Sequence, residues 1–413
     1  METQYYSGDP LLFNEKKVSH IFIKVIGAGG GGGNAVNRMY NQGIENVTFA
    51  IFNTDVQDLA KSPIPVKVQL GEASTHGLGA GGSPEVGKQA AEEDIEKIET
   101  ILSDNTRMVF ITAGMGGGTG TGAAPVIARV AKEKNILTVG VVTIPFGFEG
   151  KRKFEKAKLG LEEMRKHVDA MLVIDNRQLV KAYPNLELDK AFAMADDVLC
   201  NATKSIADII TTTGYINVDF ADVNTIMKDG GVAIMSTGSA KGENRLTQAL
   251  QNALTSPILH DNDISGAQRL LIYLHISPSH PLTSGETEEI QNFIDGISSD
   301  IEFIWGAYYS DDVDEEICVT VIATGFEIKS IINDDKQKTA EKGFTFPFIK
   351  EPPTTLEAVQ PTETAPIEET SPLSTVAEDN GDDDLDIITL ADMENMDLDD
   401  DDSINIPPSM RGK

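Results

Sequence analysis

Two glycine-rich stretches hold the densest chemistry in this chain. The first, Gly27-Ala28-Gly29-Gly30-Gly31-Gly32-Gly33-Asn34, follows an apolar run and opens a helical pattern. Residues without a Cβ let a ligand approach the backbone, and successive free N–H groups at a helix start form an anion site. Gly27, Gly29 and Gly32 also spell G-x-G-x-x-G, and Asp55 follows the second strand near where a ribose-binding acid is expected. Alone, this loop leaves a nicotinamide-dependent oxidoreductase open. The second stretch, Gly114-Met115-Gly116-Gly117-Gly118-Thr119-Gly120-Thr121-Gly122, weighs against one, because such a fold needs a single phosphate loop. Its threonines add hydroxyl donors among backbone amides, enough to wrap several phosphates. A third loop, Gly77-Leu78-Gly79-Ala80-Gly81-Gly82, is suited to closing over a terminal phosphate. No Gly-Lys-Ser/Thr ending follows any of the three, so this is not a P-loop enzyme.

Hydrolysis of a bound phosphate also needs an aligned water and stabilisation of developing charge. The glycine-loop half supplies phosphate donors but no obvious acid to activate water. Asp219 and Asp222 have that chemistry, since carboxylates three residues apart polarise a water, hold a cation or simply cap a helix.

The elements that must position these residues follow from apolar periodicity. Residues 20–26, 47–53, 107–112, 137–143 and 169–174 are short apolar runs between helical stretches. Fully apolar strands alternating with helices predict a parallel sheet covered on both faces. Ser83 before Pro84 predicts a helix start, with the helix running to about Leu102. Residues 188–213 lack Gly and Pro and read as a long central helix. Beyond Phe220, apolar runs at 231–239, 269–277, 301–309 and 317–324 predict a smaller α/β domain. The expected division is an N-terminal extension (1–18), a nucleotide domain (19–187), the central helix (188–213), an assembly domain (214–328), an acidic linker (329–402) and a terminal peptide (403–413).

Of the net charge of −31, residues 351–413 carry −16, with 18 acidic and 2 basic side chains. That stretch is too polar to offset its ordering entropy and is expected to be disordered. The acidity argues against nucleic acid as the main ligand. Cys200 and Cys318 offer neither a disulfide framework nor metal-ligand spacing. No signal-peptide core or membrane-length apolar run occurs, so a cytoplasmic chain is expected. The tip is different: Ile404, Ile406 and Met410 beside Arg411 make an apolar, cationic peptide on an acidic tether.

The run from Gly116 to Gly122 resembles the signature of the tubulin-like GTPases. Together with Asn53-Thr54-Asp55, residues 143–150 (TIPFGFEG) and residues 217–223 (NVDFADV), it is similar to the FtsZ family of bacterial cell division. The resemblance covers about residues 20–325 and returns in the terminal peptide. It implies a tubulin-like fold in which a parallel-sheet GTP-binding domain is joined by the long helix to the smaller α/β domain. It also implies GTP/GDP as ligand, Mg2+ bound with the nucleotide, and head-to-tail self-assembly into a ring at midcell. By that resemblance Gly30, Gly31, Gly32, Gly33, Asn34, Gly117, Gly118, Thr119 and Gly120 contact phosphates, with Gly81 in the closing loop. Glu149 binds ribose, Phe192 stacks on guanine and Asp196 reads the base edge. Lys153 stands where an arginine is usual, and Thr213-Gly214-Tyr215-Ile216 also departs from the family. The resemblance further implies that Asp219 and Asp222, with Asn217, complete the pocket of the next subunit. The resemblance likewise implies that residues 404–411 bind cell-division adaptor proteins, so that the membrane is reached only indirectly. The rival to hydrolysis is a scaffold that keeps GTP as structural glue, against which the two retained acids argue.

Overall fold

The apolar runs become strands of a single mixed sheet. A computed structural model describes residues 22–326 apart from 256–263, 265, 298–300, 312 and 314–315. The expected N-terminal extension, acidic linker and terminal peptide lie outside the described residues. The first half comprises β1 (Ile23–Ala28), α1 (Gly29–Asn41), β2 (Val47–Asn53), α2 (Val56–Lys61), β3 (Val66–Gln69), α3 (Glu72–Thr75), α4 (Pro84–Glu93), α5 (Ile95–Ile101), β4 (Met108–Gly114), α6 (Thr119–Glu133), β5 (Leu137–Ile144), α7 (Lys151–Arg165), β6 (Ala170–Asp175), α8 (Asn176–Ala182) and α9 (Leu188–Thr211). The second half comprises α10 (Phe220–Met227), β7 (Gly231–Ala240), α11 (Arg245–Leu254), β8 (Arg269–Ile276), α12 (Ser284–Ile297), β9 (Glu302–Tyr309) and β10 (Ile317–Phe326).

The strand order is β3-β2-β1-β4-β5-β6-β7-β10-β8-β9. From β3 to β7 every pairing is parallel, whereas β10 runs antiparallel to both β7 and β8. β6 and β7 share only three register pairs, Ala170 with Gly231 through Leu172 with Ala233, and this short seam joins the two halves. The inner strands β1, β2, β4, β5 and β6 are predominantly apolar because both of their faces are covered. Val25, Phe110 and Val139 pack toward α1 and α9, while Ile26, Ile111 and Val142 pack toward α6 and α7. A separate core gathers Leu246, Leu250, Ile272, Ile290 and Val319 around α11 and α12. The expected α/β architecture, a parallel-sheet half joined by a long helix to a smaller α/β half, is the one found.

Three local features differ from the sequence reading. The single helix expected over 83–102 is two, divided at Asp94 with φ −112° and ψ 29°. The Asp94 carboxylate is drawn into other bonds, accepting from Gly71 N at 2.7 Å and pairing with Lys97 at 2.7 Å. Such short side chains compete with helical hydrogen bonding. Ser83 occupies the cap position, but its hydroxyl donates to Glu85 at 2.6 Å and satisfies no backbone N–H. Finally, β3 is a short edge strand that apolar periodicity did not reveal.

α9 spans 24 residues, about 36 Å at the usual rise of 1.5 Å per residue. Leu199, Ile206 and Ile209 bury one stripe of it. Arg38 of α1 forks onto Asp197, with its Nη2 donating at 2.6 Å, and so fixes the helix against the first domain. Among the described residues no helix is long and apolar enough to cross a membrane.

Candidate functional site

Strand order reverses between β1 and β4: the chain leaves β1 for β2 on one side and returns to β4 on the other. A crevice forms at the carboxyl ends of strands at such a switch point. There, a cavity of about 280 Å³ is lined by Gly30 and Gly31 of the first loop, Gly117, Gly118, Thr119 and Gly120 of the second, and Gly81 of the third. The helices α1 and α6 both start at this cavity, so two sets of unpaired backbone N–H groups and two positive dipole ends converge on it. The arrangement suits a polyphosphate.

Five consecutive glycines are poor helix formers, yet α1 begins among them. Packing supplies the reason at Gly32, where a Cβ would lie 2.2 Å from the Thr112 carbonyl oxygen of β4. Gly32 therefore lets helix and strand approach and does not line the cavity. Gly33 and Asn34 border a smaller adjoining cavity of about 80 Å³, which shares Gly30, Asn53 and Asp58 with the first.

The threonines act differently from the expectation of free hydroxyl donors. Thr121 Oγ1 accepts from Gly116 N at 2.8 Å inside the fold, holding the loop closed on itself. Thr119 Oγ1 lies 2.6 Å from buried Thr54 Oγ1, which ties the second loop to the end of β2. Both hydroxyls shape the loop. Asp55, read from sequence as a possible ribose acid, instead caps α2 by accepting from Gln57 N at 2.8 Å, and it lines the phosphate-sized cavity.

The residues expected on the sugar and base lie farther along the same sheet edge, after β5 and β6. Glu149 accepts from Phe146 N at 2.9 Å and from Lys153 Nζ at 2.9 Å, so Lys153 is its partner. Phe192 is 42% exposed and meets Phe146 edge-on, with centroids 4.9 Å apart at 75°. Phe148, 60% exposed, stacks on Phe146 at 5.2 Å and 15°. The half-open Phe192 ring is thus part of an aromatic shelf. Asp196, four residues on, has its pKa raised to about 6 by burial, against the pull of Arg38. A carboxylate disfavoured by desolvation gains most from a ligand that brings donors to it.

Asp58, Phe148 and Asn176 were missed by sequence reasoning. Asp58 shares the cavity wall with Asp55, one turn later in α2. Asn176 opens α8, is 6% exposed, and its Oδ1 meets no donor among the described residues. Its only signal in the sequence was an Asp-Asn pair directly after an apolar run.

The remaining predicted residues sit at the other end of α9. Asp219 accepts from Ala221 N at 2.7 Å and Asp222 N at 3.0 Å, and Asp222 accepts from Asp219 N at 2.9 Å. The pair forms a reciprocal cap on α10. Asn217 Oδ1 accepts from Gly214 N at 3.2 Å in the same exposed loop. From Phe192 to Thr211 the helix alone covers about 29 Å, beyond the reach of any side chain. The acids do not meet the cavity of their own chain.

Family profiles match both halves: "Tubulin/FtsZ family, GTPase domain" over residues 22–184 and "FtsZ family, C-terminal domain" over residues 231–327. The chain is 52% identical over 309 residues to the cell division protein FtsZ of Porphyromonas gingivalis, covering 75% of this chain and 68% of that one. It is 46% identical over 338 residues to the FtsZ of Aquifex aeolicus, covering 81% and 90% respectively. Its fold is similar to an empty FtsZ dimer from M. jannaschii, with TM-score 0.68 and 40% identity over 75% of this chain and 88% of that one.

Proposed function

Since the chain belongs to the FtsZ family, we infer that it is a cell-division GTPase which assembles head to tail and completes each hydrolytic site across a subunit boundary. The observation that supports the shared-site reading is that Asp219 and Asp222 follow the far end of α9 from Phe192 and do not line the glycine cavity of their own chain. A contact that places the foot of one subunit on the cavity of the next is heterologous and propagates as a filament.

In this reading GTP lays its phosphates against the amino ends of α1 and α6, under the loop containing Gly81. Gly30, Gly31, Gly117, Gly118, Thr119 and Gly120 donate backbone N–H groups, with Gly33 and Asn34 at the adjoining cavity. The ribose reaches Glu149, which keeps Lys153 as its counter-charge. The base rests on Phe192 and presents its N1–H and amino group to ionised Asp196. Asn176, already short of a donor, supplies a further polar contact at that end.

The two carboxylates of Asp55 and Asp58 beside a phosphate site fit a hard divalent cation, since without one they would repel the phosphates. Among the described residues no three His, Cys, Asp or Glu side chains converge on a metal position. Mg2+ would therefore take most of its ligands from phosphate and water, and would neutralise charge on the transferring phosphoryl group. Asp222 of a neighbouring copy, oriented through its bond to Asp219 N, would accept a proton from the attacking water. Asn217 lies in the same loop and would orient that water.

Assembly into a ring at midcell, and docking of residues 404–411 on adaptor proteins, complete the proposal. Phosphate release measured across a dilution series tests its centre. Turnover per subunit should fall as subunits separate; a constant value returns catalysis to the single chain, with Asp55 and Asp58 as the available acids.

A further inference from the structure

The loop over the cavity is held unequally at its two ends. At its start the backbone fixes it: Val56 N donates to Gly77 O, Leu78 N to Thr75 O and Gly79 N to Thr54 O. Its far half is looser. Gly81 and Gly82 have φ of +56° and +71°, and a Cβ on either would meet nothing within 4 Å. Glycines in open space with left-handed backbone have many neighbouring conformations. Ser83 N donates to Ala80 O at 3.0 Å, and Ala80 and the Ser83 backbone pack on Gly118, so the ends of the turn are seated while Gly81 and Gly82 project from it.

A side chain from another element reaches this half. Lys156 Nζ, on α7, donates to Gly82 O at 2.6 Å. The first turns of α7 also meet the rest of the nucleotide edge. Lys153, one turn earlier, pairs with Glu149, and Phe154 carries the Arg177 guanidinium over its ring at 4.5 Å. Arg177 in turn grips the buried Asp175 at the end of β6, directly before Asn176. One helix therefore touches the sugar-side acid, the base-side strand end and the loop over the phosphates.

We infer that Lys156 is a positioning residue for GTP hydrolysis: by holding the Gly82 carbonyl it keeps the Gly81 tip over the terminal phosphate and sets the preference for triphosphate over diphosphate. This rests on the reading of the cavity as the phosphate site. A diphosphate leaves the tip without a ligand, so the tether matters little to it. A triphosphate is gripped by the tip, and each conformation the tether removes is one that binding need not exclude.

The test is equilibrium binding of GTPγS and of GDP to the full chain, below the concentration at which it assembles. Lys156→Met should weaken GTPγS about three- to tenfold, the range of one lost hydrogen bond, and GDP less than twofold. Lys156→Arg, which keeps a donor and a charge on a long stem, should restore the wild-type ratio. Thermal unfolding of both variants should match wild type. An unchanged ratio in Lys156→Met overturns the role of Lys156 while leaving the cavity assignment standing. Equal weakening of both ligands with a lowered melting point makes Lys156 a general structural contact, and also overturns it. Equal affinity of the wild type for GTPγS and GDP undoes the loop's contact with the terminal phosphate and this inference with it.

Discussion

The glycine cradle and the acid loop are made of opposite materials. The cradle is backbone, seated at the ends of β1 and β4, and its geometry is fixed by the starts of two helices. The acid loop is side chain, solvent-facing, and held by a cap that any short helix could use. The difference matches the task proposed for each. Binding a polyphosphate rewards donors that cannot move, whereas a group delivered to another molecule has to stand outside its own fold.

Three substitutions or conditions sharpen that contrast. The largest effect is expected from Asp222→Asn, which still accepts from Asp219 N and so keeps the cap while losing the base. Phosphate release should fall about a hundredfold or more, within the range of general base catalysis, with GTP binding and sedimentable assembly retained. Mixing it with an Asp196→Ala chain, whose own pocket is impaired but whose acids are intact, should raise release above either alone. Hydrolysis by Asp222→Asn at the wild-type rate would reduce the acid to its capping role.

Next is Gly32→Ala, aimed at the cradle. The 2.2 Å approach to Thr112 O leaves no room for a methyl group, so unfolding free energy should drop by about 1–3 kcal/mol, read from the denaturant midpoint. A variant as stable as wild type would show that α1 shifts freely on β4, and a rigid cradle would be lost as an explanation.

The smallest effect is the response to acid. With its pKa raised from 3.8 to about 6, Asp196 is ionised at neutral pH at the expense of the empty fold. Its contribution to stability is fully present below about pH 4 and lost as pH rises through about 6. Guanine binding should run the other way, weakening about tenfold per unit below pH 6 because the acceptor becomes protonated. Calorimetry should then show proton release on binding near pH 6, and Asp196→Asn should abolish it. A GTP affinity flat from pH 7 to 5 would remove Asp196 from base recognition.

Much of this was legible in the sequence because glycine and apolar alternation act locally. The loops at Gly27–Gly33 and Gly116–Gly122 each announced a strand, a turn and a helix start, and both now border one crevice. What sequence could not give is which glycine does which job. Gly32 serves packing and Gly31 the cavity, a distinction set by a strand some eighty residues away. Asp94 looked like an ordinary helical residue until Gly71 N claimed its carboxylate. Asn176 and Phe148 belong to the nucleotide edge only because parallel pairing lines up the ends of β5 and β6. Asp219 and Asp222 were read as water-activating acids or as caps, and the fold displays the cap.

The length of α9 has an arithmetic consequence. If every working pocket borrows its acid from the copy stacked upon it, an open chain always contains one pocket fewer in service than it has members. The terminal pocket holds nucleotide without spending it. Each filament would then carry, at one end only, a subunit whose nucleotide outlives all the others, and the two ends would be chemically distinguishable without any further component.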